Sequence, residues 1–450
     1  MKKTDIIVIG GSAAGIVAAL TAKSTNPSKD VTLIRKEEIV MIPCGIPYVF
    51  GTTGSTSKNA IPDKGLLGLG VNIVIDEVTV VNKEDKIVST ASGEKYKYDK
   101  LVFATGSNPA LPMWLKGRDL ENVFTVPKNK LYLDSFQSKL KEFKKMVVIG
   151  AGFIGVEMSD ELNKSGLEIS LVEKLPHVLG ATFDEEVVLE VEDQLTERGI
   201  KLFTGLGVAE ILGENGVVNG VLLDNGEKLE ADAVIVSMGY RPNAKLAEET
   251  GLRINQMGFI ETDQYRRTSD PSIFAAGDCS EKRDFITGKL SGIMLASTAS
   301  AEGRIAGINL YNLAVLKSFA GTIGIYSTAL GDNAFAVAGI TESLAKMEGI
   351  DYIAGSFTGM DRHPGNISDA HKQMVKLVVS RESGIILGGA ISGGKSTGEL
   401  INAIGFVIQN KMTVIDLLTS QIGTQPVLTA SPVAYPLIKA AEVCLKKLRK

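Results

Sequence analysis

The sequence predicts an α/β fold with two β-α-β units and a separate α+β domain at its C-terminal end. Three observations support this prediction. An apolar run at residues 6–9 leads into a glycine-rich turn and an alanine-rich helix, and the same order recurs from residue 146 to about residue 164. From residue 321 onward neither glycine pattern recurs, and short strands alternate with two helices. A chain of 450 residues is also too long for one hydrophobic core, so about two to four domains are expected.

The first unit carries a dinucleotide-binding fingerprint in which a serine takes the second glycine position. Its turn reads Gly10, Gly11, Ser12, Ala13, Ala14 and Gly15. Gly10 permits the tight turn and Gly15 lets the helix pack closely on the sheet, so the N-terminus of the helix faces a pyrophosphate. The acid that usually binds the ribose should follow the strand at 31–34, but Arg35 and Lys36 stand there, with Glu37 and Glu38 just beyond. Which of these side chains meets the ribose stays open.

The second unit carries a complete fingerprint, which is a stronger signal. Its turn reads Gly150, Ala151, Gly152, Phe153, Ile154 and Gly155. The next strand ends at Glu173, 18 residues past Gly155, where an acid binds the ribose hydroxyls. Glu173 would repel a 2′-phosphate, which favours NADH, while Lys174 beside it keeps NADPH as an alternative. Two fingerprints predict two dinucleotides, a flavin and a nicotinamide, because a hydride donor needs an acceptor.

Two further stretches end buried strands at small polar residues. Apolar and polar residues alternate over residues 71–103, which predicts an antiparallel excursion from the first sheet. Its last strand leads into Thr105 and Gly106, where the backbone could approach a nucleotide a second time. A strand ending in Gly277 and Asp278 would place a carboxylate against a sugar-alcohol chain. The helix at about 295–308 then returns the chain to the first unit.

Cys44 is the cysteine placed where chemistry would need one. It follows the first β-α-β unit, and a helix beginning just after it would put its sulfur near the positive end of a helix dipole, which lowers a thiol pKa. The alternative is a buried, inert cysteine. Cys279 and Cys444 read as structural.

The composition excludes several classes of function. Hydrophobic residues make up 44% and charged residues 22%, and the net charge of −4 gives no electrostatic case for nucleic acid or an anionic membrane. No apolar run is long enough to span a bilayer. Three distant cysteines and three histidines lack metal-ligand spacing, so no metal site is predicted and a reducing cytoplasm is expected.

The order of these motifs resembles the FAD-dependent pyridine nucleotide–disulfide oxidoreductases across essentially the whole chain. Within them the chain is similar to the single-cysteine branch, which includes coenzyme A disulfide reductases, persulfide reductases and NADH oxidases. The run from Cys44 to Tyr48 is similar to the Cys-Gly-Leu-Pro-Tyr of the coenzyme A and persulfide members. The paired-cysteine members carry a second cysteine where this chain has Val49.

The resemblance implies two Rossmann-like dinucleotide-binding domains plus a C-terminal α+β dimerisation domain. The FAD-binding domain would comprise residues 1–114 and 243–320, the NAD-binding domain residues 115–242, and the dimerisation domain residues 321–450. FAD would contact residues 10–15, Arg35 or Lys36, and three further pairs of residues: Thr105 and Gly106, Gly277 and Asp278, and Leu295 and Ala296. NADH would contact residues 150–155, Glu173 and Gly239, with Phe153 covering the flavin until nicotinamide displaces it. A homodimer is implied, in which the partner chain closes each active site.

The sequence departs from parts of the family pattern. NADH oxidases and peroxidases both carry a histidine inside the first glycine-rich turn, where this chain has Ala13 and Ala14. This difference argues against peroxide reduction. Residues before Cys44 differ from those of the coenzyme A members, so a coenzyme A-linked substrate stays open. Gln425 stands where two-cysteine reductases carry an acid–base histidine; His363 and water are the candidate replacements.

The favoured hypothesis is an NADH-dependent flavoprotein that reduces a small disulfide, persulfide or polysulfide through Cys44. An NADH oxidase, reducing oxygen at the flavin or through a Cys44 sulfenic acid, is the first alternative. A flavin-bearing redox sensor is the second.

Overall fold

The computed structural model describes residues 1–313 and 319–449, which form three five-stranded sheets, two parallel and one antiparallel, with smaller sheets and helices packed around them. The fold class predicted from the two glycine-rich turns is confirmed. The domain boundaries at residues 114, 242 and 320 stay predictions.

The first parallel sheet carries the first glycine-rich turn at the carboxyl end of a central strand. Its strands run side by side in the order Ile273–Ala275, Lys100–Phe103, Ile6–Ile9, Val31–Arg35 and Asn72–Ile75. Residues 6–9 are buried on both faces, as continuous apolar strands of parallel sheets are. The prediction that residues 71–103 form one antiparallel excursion was wrong in its first part, because residues 72–75 extend this parallel sheet.

Residues 78–97 of that excursion are antiparallel, as predicted, whereas its last strand, Lys100–Phe103, is parallel to both of its neighbours. The antiparallel part forms a small sheet in the order Lys2–Lys3, Lys95–Lys97, Ile87–Thr90 and Val78–Asn82. The short pair Val40–Met41 and Ala60–Ile61 lies beside the cysteine-bearing loop.

The second parallel sheet repeats the arrangement around the second glycine-rich turn. Its order is Val123–Phe124, Ala233–Val236, Lys145–Ile149, Glu168–Glu173 and Lys201–Thr204. An antiparallel sheet of Val208–Glu214, Val217–Leu223 and Lys228–Glu230 covers it. The chain passes between the two parallel sheets twice, and the two crossings pair as Ser107–Pro109 with Tyr240–Pro242.

The C-terminal part is an antiparallel sheet with helices on it. Its strand order is Tyr326–Leu330, Asn333–Gly339, Ile386–Gly393, Lys372–Ser380 and Tyr352–Met360. Apolar residues of Thr397–Gln409 and Pro436–Leu448 pack on this sheet in one buried cluster. The strands are longer than the sequence pattern predicts, because their glycines interrupt the apolar alternation without interrupting the ladder.

The remaining elements are short or connect these layers. The other α-helices are Ala13–Thr25, Lys64–Gly68, Lys130–Lys139, Phe153–Asn163, Glu185–Glu197, Lys245–Glu249, Ala296–Ile308, Glu342–Glu348 and Val414–Thr419. Short 3₁₀ turns are Pro43–Gly45, Pro47–Phe50, Thr56–Asn59, Leu140–Glu142 and Pro432–Ala434. Within residues 1–313 and 319–449, none of the helices has the length and apolar character needed to cross a bilayer.

Two helices of the first unit approach unusually closely because small residues face each other. A Cβ at Gly303 would lie 2.7 Å from the Ala14 carbonyl oxygen, and one at Gly307 would lie 2.8 Å from the Ala18 carbonyl oxygen. This contact holds the start of helix Ala296–Ile308 beside the first glycine-rich turn. The close approach therefore brings two distant parts of the sequence to one site.

A buried ion cluster joins the second unit to the C-terminal sheet. The Lys376 ammonium lies 3.0 Å from Asp184, 2.5 Å from Glu342, and also contacts Glu186. Lys376 and Asp184 are both nearly inaccessible to solvent. Burial opposes their charges, but hydrogen bonds and Lys376 lower the pKa of Asp184 overall, while the three carboxylates raise the pKa of Lys376. The three carboxylates are also close enough to hold a cation, but Lys376 already lies among them.

Lys376→Met is expected to destabilise the protein by about 3–5 kcal/mol, because it leaves the buried Asp184 carboxylate without its counter-ion. The matched control is Lys395→Met, since Lys395 pairs with Asp332 and both side chains are about four-fifths exposed. Such an exposed pair contributes about 1 kcal/mol or less. Urea unfolding at pH 7 measures both effects, and equal midpoints for the two variants would contradict the prediction. The contribution of the Asp184 carboxylate to the free energy of unfolding should be lost as the pH falls through its folded-state pKa, which is lowered.

Candidate active site

The first glycine-rich turn brings backbone atoms closer together than side chains would permit. Gly10 has φ +108°, and a Cβ there would lie 2.2 Å from the Ala104 carbonyl oxygen. A Cβ on Gly15 would lie 1.9 Å from the Gly10 carbonyl oxygen. Helix Ala13–Thr25 starts inside this turn with an N-cap, Ser12, whose side chain makes no capping hydrogen bond. Its N-terminal amides therefore suit an anionic ligand such as a pyrophosphate.

Two cavities meet at this turn and together form one elongated site. They have volumes of about 460 and 400 Å³, and Ser12, Gly106 and Lys128 line both. Most residues predicted from the sequence for the flavin line one or both: Gly10, Ser12, Ala13, Ala14, Arg35, Lys36, Thr105, Gly106, Gly277, Asp278, Leu295 and Ala296. Gly15 lies beneath the turn, where it lets the helix pack. A long cleft whose glycines leave room for a backbone-bound pyrophosphate fits FAD.

Arg35 lies at this site but already has protein partners. It is buried, and its guanidinium donates to both carboxylate oxygens of Asp63 at 2.7 Å and to the carbonyl oxygens of Glu37 and Glu38. Its side chain also lies under Gly11, where a Cβ would come within 2.4 Å of the Arg35 Cδ. The exposed Lys36 and the half-buried Glu37 beside it also line the cavity.

Asp278 lines the cavity of about 400 Å³ and follows strand Ile273–Ala275 of the first parallel sheet. Its Oδ2 accepts hydrogen bonds from Ser107 Oγ at 2.7 Å and from Lys128 Nζ at 2.8 Å. Burial opposes the charge, but Lys128 and these hydrogen bonds hold the pKa of Asp278 below its usual value. The preceding residue, Gly277, donates its backbone N–H to the buried Glu302 carboxylate. Sequence reasoning missed Lys128 and Glu302, which come from other segments.

The second glycine-rich turn has the same close packing. A Cβ on Gly155 would lie 1.9 Å from the Gly150 carbonyl oxygen, and Gly150 has φ +96°. The Glu173 carboxylate accepts hydrogen bonds from the backbone N–H groups of Ala151 at 2.7 Å and Leu175 at 2.8 Å. The predicted ribose acid is thus anchored at the turn.

A smaller cavity of about 180 Å³ connects this turn with the elongated site. Gly152, Phe153, Ile154, Gly239 and Tyr240 line it. Phe153, Ile154 and Tyr240 also line the cavity of about 400 Å³ that contains Cys44. The second fingerprint and the cysteine therefore face a shared space.

Phe153 stacks on an aromatic residue of the C-terminal sheet. Its ring is parallel to that of Tyr326, with centroids 5.1 Å apart and an interplanar angle of 5°. The Phe183 ring packs against Phe153 from another side. The C-terminal sheet thus supplies one wall of the site within the same chain.

Cys44 lies in a 3₁₀ turn rather than at the start of an α-helix. Pro43–Gly45 forms one such turn and Pro47–Phe50 forms the next, so the expected helix dipole is absent from this segment. Asn59 fixes the turn, since its Nδ2 donates to the Ile42 carbonyl oxygen and its Oδ1 lies 2.0 Å from where a Gly45 Cβ would be. Cys44 itself is exposed to the cavity, so the alternative of a buried, inert cysteine does not hold.

The surroundings of Cys44 raise its thiol pKa, contrary to the prediction from a helix dipole. Burial by surrounding protein atoms is the main cause, the negative charge of Glu157 is the second, and Lys128 opposes both. These surroundings therefore favour the thiol form of Cys44 over the thiolate.

Glu157 is an ionisable side chain of this cavity that sequence reasoning did not single out. It follows the last glycine of the second turn by two residues and lines the Cys44 cavity. Thr328 Oγ1 donates to Glu157 Oε1 at 2.9 Å. Burial raises the pKa of Glu157 to about 7. The signal in the sequence is a single acid between Val156 and Met158, both of which are fully buried.

His363 and Gln425 are not among the residues that line the Cys44 cavity. His363 pairs with the loop at 425–429, because its N–H donates to the Thr429 carbonyl oxygen and its own carbonyl oxygen accepts from Val427. Its Nδ1 lies 2.7 Å from the same Thr429 oxygen. His363 and Gln425 thus share one loop cluster of the C-terminal part.

Comparison with known proteins agrees with this geometry. Residues 4–303 match the pyridine nucleotide-disulphide oxidoreductase family, and residues 325–434 match the dimerisation domain of that family. The chain is 32% identical to an NADH oxidase of Methanocaldococcus jannaschii, with 98% of this chain and 99% of that protein covered. It is 31% identical to an NAD(P)H coenzyme A polysulfide/persulfide reductase of Pyrococcus horikoshii, with 98% of each chain covered.

A solved structure shows the same architecture. The NAD-dependent persulfide reductase from A. fulgidus is 30% identical and superposes with a TM-score of 0.90, covering 98% of this chain and 83% of that one. Two glycine-rich turns that open onto one cysteine-bearing space are what such an enzyme needs to pass electrons from a nicotinamide to a flavin. The chain therefore belongs to the pyridine nucleotide-disulphide oxidoreductase family and is an oxidoreductase that uses FAD and NADH.

Proposed function

We propose that this enzyme reduces a small disulfide, persulfide or polysulfide at Cys44 with electrons from NADH. The observation that carries the proposal is the position of Cys44. It is exposed to the cavity that also contains Asp278 of the first unit and Phe153 of the second. A thiol at the meeting point of both dinucleotide sites is placed to receive electrons.

FAD is assigned to the elongated site and NADH to the second turn. Residues 10–15 would hold the FAD pyrophosphate, and Asp278 with Lys128 would orient the sugar-alcohol chain. Residues 150–155 and Glu173 would hold NADH, with Phe153 and Gly239 beside the nicotinamide. FAD, when bound, supplies a two-electron centre that couples NADH oxidation to reduction of a sulfur–sulfur bond. The protein holds both dinucleotides in place and keeps Cys44 beside them.

Cys44 performs the exchange chemistry with the substrate. Its thiolate attacks the substrate sulfur, a mixed disulfide or persulfide forms on Cys44, and a thiol or sulfide leaves. Two electrons from NADH then cleave the new bond and restore the Cys44 thiolate. The exposure of Cys44 to the cavity gives a small sulfur compound access.

We also propose that the protein forms a homodimer through its dimerisation domain, and that the loop containing His363 takes part in it. A homodimer would place the cluster of His363 and Gln425 of one chain over the cysteine cavity of the other. Exposed apolar side chains in the C-terminal part, such as Phe406, Leu428 and Val433, suit burial against a second copy. A coenzyme A-linked sulfur compound is the finer substrate proposal, since the P. horikoshii relative is named for coenzyme A.

An NADH oxidase is the second candidate function. The M. jannaschii relative carries that name, and the exposure of Cys44 would give oxygen or peroxide access to its thiolate, which can cycle through a sulfenic acid. Turnover with oxygen that survives removal of Cys44 would instead place oxygen reduction at the flavin.

An anaerobic titration with NADH, followed by flavin absorbance, tests the sulfur-reductase proposal. A second redox centre at Cys44 should make the wild type take up about two equivalents of NADH and Cys44→Ser about one. Identical titrations of the two proteins would favour oxygen reduction at the flavin.

Glu173→Ser is expected to lower the preference for NADH over NADPH by about 10–100-fold, because the carboxylate no longer repels the 2′-phosphate. NADH affinity should fall too, since Glu173 also accepts the Ala151 amide hydrogen bond at the turn. Glu168→Ser is the control, because Glu168 lies at the other end of the same strand and pairs with the exposed Lys201. The ratio of kcat/KM for the two nucleotides measures the effect, and an unchanged ratio would remove Glu173 from the ribose site.

A further inference from the structure

The Ile42 carbonyl oxygen closes the turn that carries Cys44. It accepts the backbone N–H of Gly45 at 3.0 Å, which folds the chain back across Cys44. The same oxygen accepts a hydrogen bond from the side-chain amide of Asn59, whose Nδ2 lies 3.0 Å away. Pro43 has no N–H to add to this pair. Two donors from different parts of the sequence therefore hold the backbone just before Cys44.

Asn59 contacts the turn at two further points. Its backbone carbonyl oxygen accepts the N–H of Ile42 at 2.9 Å, which extends the strand pair Val40–Met41 and Ala60–Ile61 by one residue. Its Oδ1 fills the place of a side chain at residue 45, since a Cβ on Gly45 would lie 2.0 Å from this oxygen. Asn59 is buried, with 6% of its surface exposed. It therefore holds the turn on both sides of the cysteine.

The support segment, which we define as residues 56–63, carries Asn59 and is anchored in both dinucleotide units. At its start, the buried Thr56 hydroxyl donates to the carboxylate of Asp134, on a helix that packs in the core of the second unit. At its end, the carboxylate of Asp63 accepts two hydrogen bonds at 2.7 Å from the buried Arg35, which ends a strand of the first unit. The support segment is thus fixed relative to both units.

Asn59 can act on the cysteine only through the backbone of the turn. Pro43 and Cys44 line the cavity of about 400 Å³, whereas Asn59 is not among the residues that line it. The turn itself is a three-residue 3₁₀ turn, Pro43–Gly45, and such turns have poorer hydrogen-bond geometry than an α-helix. Its shape therefore depends on the contacts that Asn59 supplies.

We propose that Asn59 is a positioning residue that sets where the Cys44 sulfur lies in this cavity. The inference rests on the proposed function, because the place of the sulfur matters only if sulfur exchange occurs at Cys44. A reacting group that is displaced by about 1 Å can lose about 100-fold in rate. The contacts of Asn59 at Ile42 and Gly45 hold the cysteine against such a displacement.

Asn59→Ala in the holoenzyme tests the inference. Turnover with inorganic polysulfide should fall by about 10–100-fold, because the freed turn no longer holds the Cys44 sulfur in place. Long-wavelength charge-transfer absorbance between the Cys44 thiolate and the flavin should fall by about half or more, since it requires close contact. Bleaching of the flavin by NADH should stay within about twofold of the wild type, because it does not involve Cys44.

The reaction with iodoacetamide follows the turn without catalysis. Cys279 and Cys444 are buried, so the reagent reports on Cys44. A turn that has lost the Asn59 contacts opens more often, so alkylation at pH 7 should be about threefold faster or more. A change in this rate together with normal flavin bleaching would locate the effect at the cysteine.

Asn26→Ala is the matched control. Its side-chain amide also donates to a backbone carbonyl oxygen, that of Ala22, at 3.2 Å. Asn26 follows the C-terminal end of helix Ala13–Thr25, while the first glycine-rich turn lies at the other end. This variant should match the wild type in turnover, charge-transfer absorbance and alkylation.

Gly45→Ala makes the same contact too tight instead of removing it. The new Cβ would lie 2.0 Å from Asn59 Oδ1, so the turn must shift and turnover should fall by about 100-fold. Asn59→Ala removes the clash, so the double variant should exceed Gly45→Ala in turnover by about tenfold. A substitution that harms the wild type and yet rescues Gly45→Ala indicates a direct contact. Urea unfolding of all variants separates this effect from a general loss of stability.

The inference is overturned if Asn59→Ala keeps wild-type turnover and charge-transfer absorbance, or if the double variant is no more active than Gly45→Ala. It is also overturned if Asn59→Ala loses flavin bleaching in step with turnover. Should Asn59→Ala fold poorly, Gly45→Ala decides, because wild-type turnover in that variant would show that the contact does not place the sulfur. Failure of the proposed function looks different, since Cys44→Ser would then keep turnover.

Discussion

Cys44→Ser is expected to reduce turnover with inorganic polysulfide by about 1,000-fold or more, because a serine hydroxyl cannot act as the exchanging thiolate. The same variant should keep its FAD and should still be bleached by NADH. The fold gives the reason, since Cys44 contributes its side chain to the cavity rather than to the buried core. Steady-state assays under argon measure the first effect, and stopped-flow absorbance measures the second.

Cys444→Ser is the matched control for this experiment. Cys444 is fully buried among helix Pro436–Leu448 and strand Lys372–Ser380, and its sulfur lies 3.8 Å from the Leu377 carbonyl oxygen. The variant should therefore retain turnover, with at most a modest loss of stability. Cys44→Ser that turned over polysulfide at the wild-type rate would refute sulfur chemistry at Cys44. Continued oxygen consumption by this variant would indicate reduction of oxygen at the flavin.

The long-wavelength absorbance of the reduced protein adds a spectroscopic check. A Cys44 thiolate beside the flavin should give a charge-transfer band that appears after about two equivalents of NADH and is absent from Cys44→Ser. Lys128 favours this thiolate, while Glu157 and burial oppose it, so the band should strengthen as the pH rises.

The sequence predicted the two β-α-β units well because their turns have little conformational freedom. Gly10 and Gly150 have positive φ, and Gly15 and Gly155 leave no room for a Cβ, so these positions require glycine. The buried apolar strands before each turn are equally restrictive. The predicted turns and strands at residues 6–9 and 146–149 are therefore confirmed in the fold.

The sequence predicted other parts poorly because their structure depends on distant partners. Residues 72–75 alternate as an antiparallel strand would, yet they pair in parallel with strand Val31–Arg35. They do so because they form the edge of the first parallel sheet, next to that strand. Cys44 lacks the expected helix because Pro43 and Pro47 start short 3₁₀ turns, and Asn59 then fixes the backbone.

The residues of the site likewise fall into those that local sequence motifs predict and those that only the fold brings together. The glycines and Asp278 stood out because their motifs are local in sequence. Lys128, Glu157 and Thr328 did not, because each reaches the cavity from a different element and each resembles an ordinary polar residue in the sequence. Only the packing of the C-terminal sheet against helix Phe153–Asn163 brings Thr328 to Glu157.

A glycine-to-alanine substitution in each glycine-rich turn is expected to impair binding of a different dinucleotide, FAD at the first turn and NADH at the second. Gly15→Ala places a Cβ 1.9 Å from the Gly10 carbonyl oxygen, and Gly155→Ala places one 1.9 Å from the Gly150 carbonyl oxygen. Each change must open its own turn, because neither backbone contact can give way without moving the helix from the strand. Gly65→Ala is the control, since nothing lies within 4 Å of a Cβ there.

Gly15→Ala should therefore purify with flavin content lowered about tenfold or more, because the opened turn no longer matches the pyrophosphate. Gly155→Ala should retain FAD but need about 100-fold more NADH for half-maximal bleaching, as expected when a bound group is displaced by about 1 Å. Gly65→Ala should resemble the wild type in both. Flavin content from absorbance and anaerobic NADH titration measure the two effects. Loss of FAD from Gly155→Ala with full retention by Gly15→Ala would reverse the assignment of the sites, because the glycine contacts are local and equally close in the two turns.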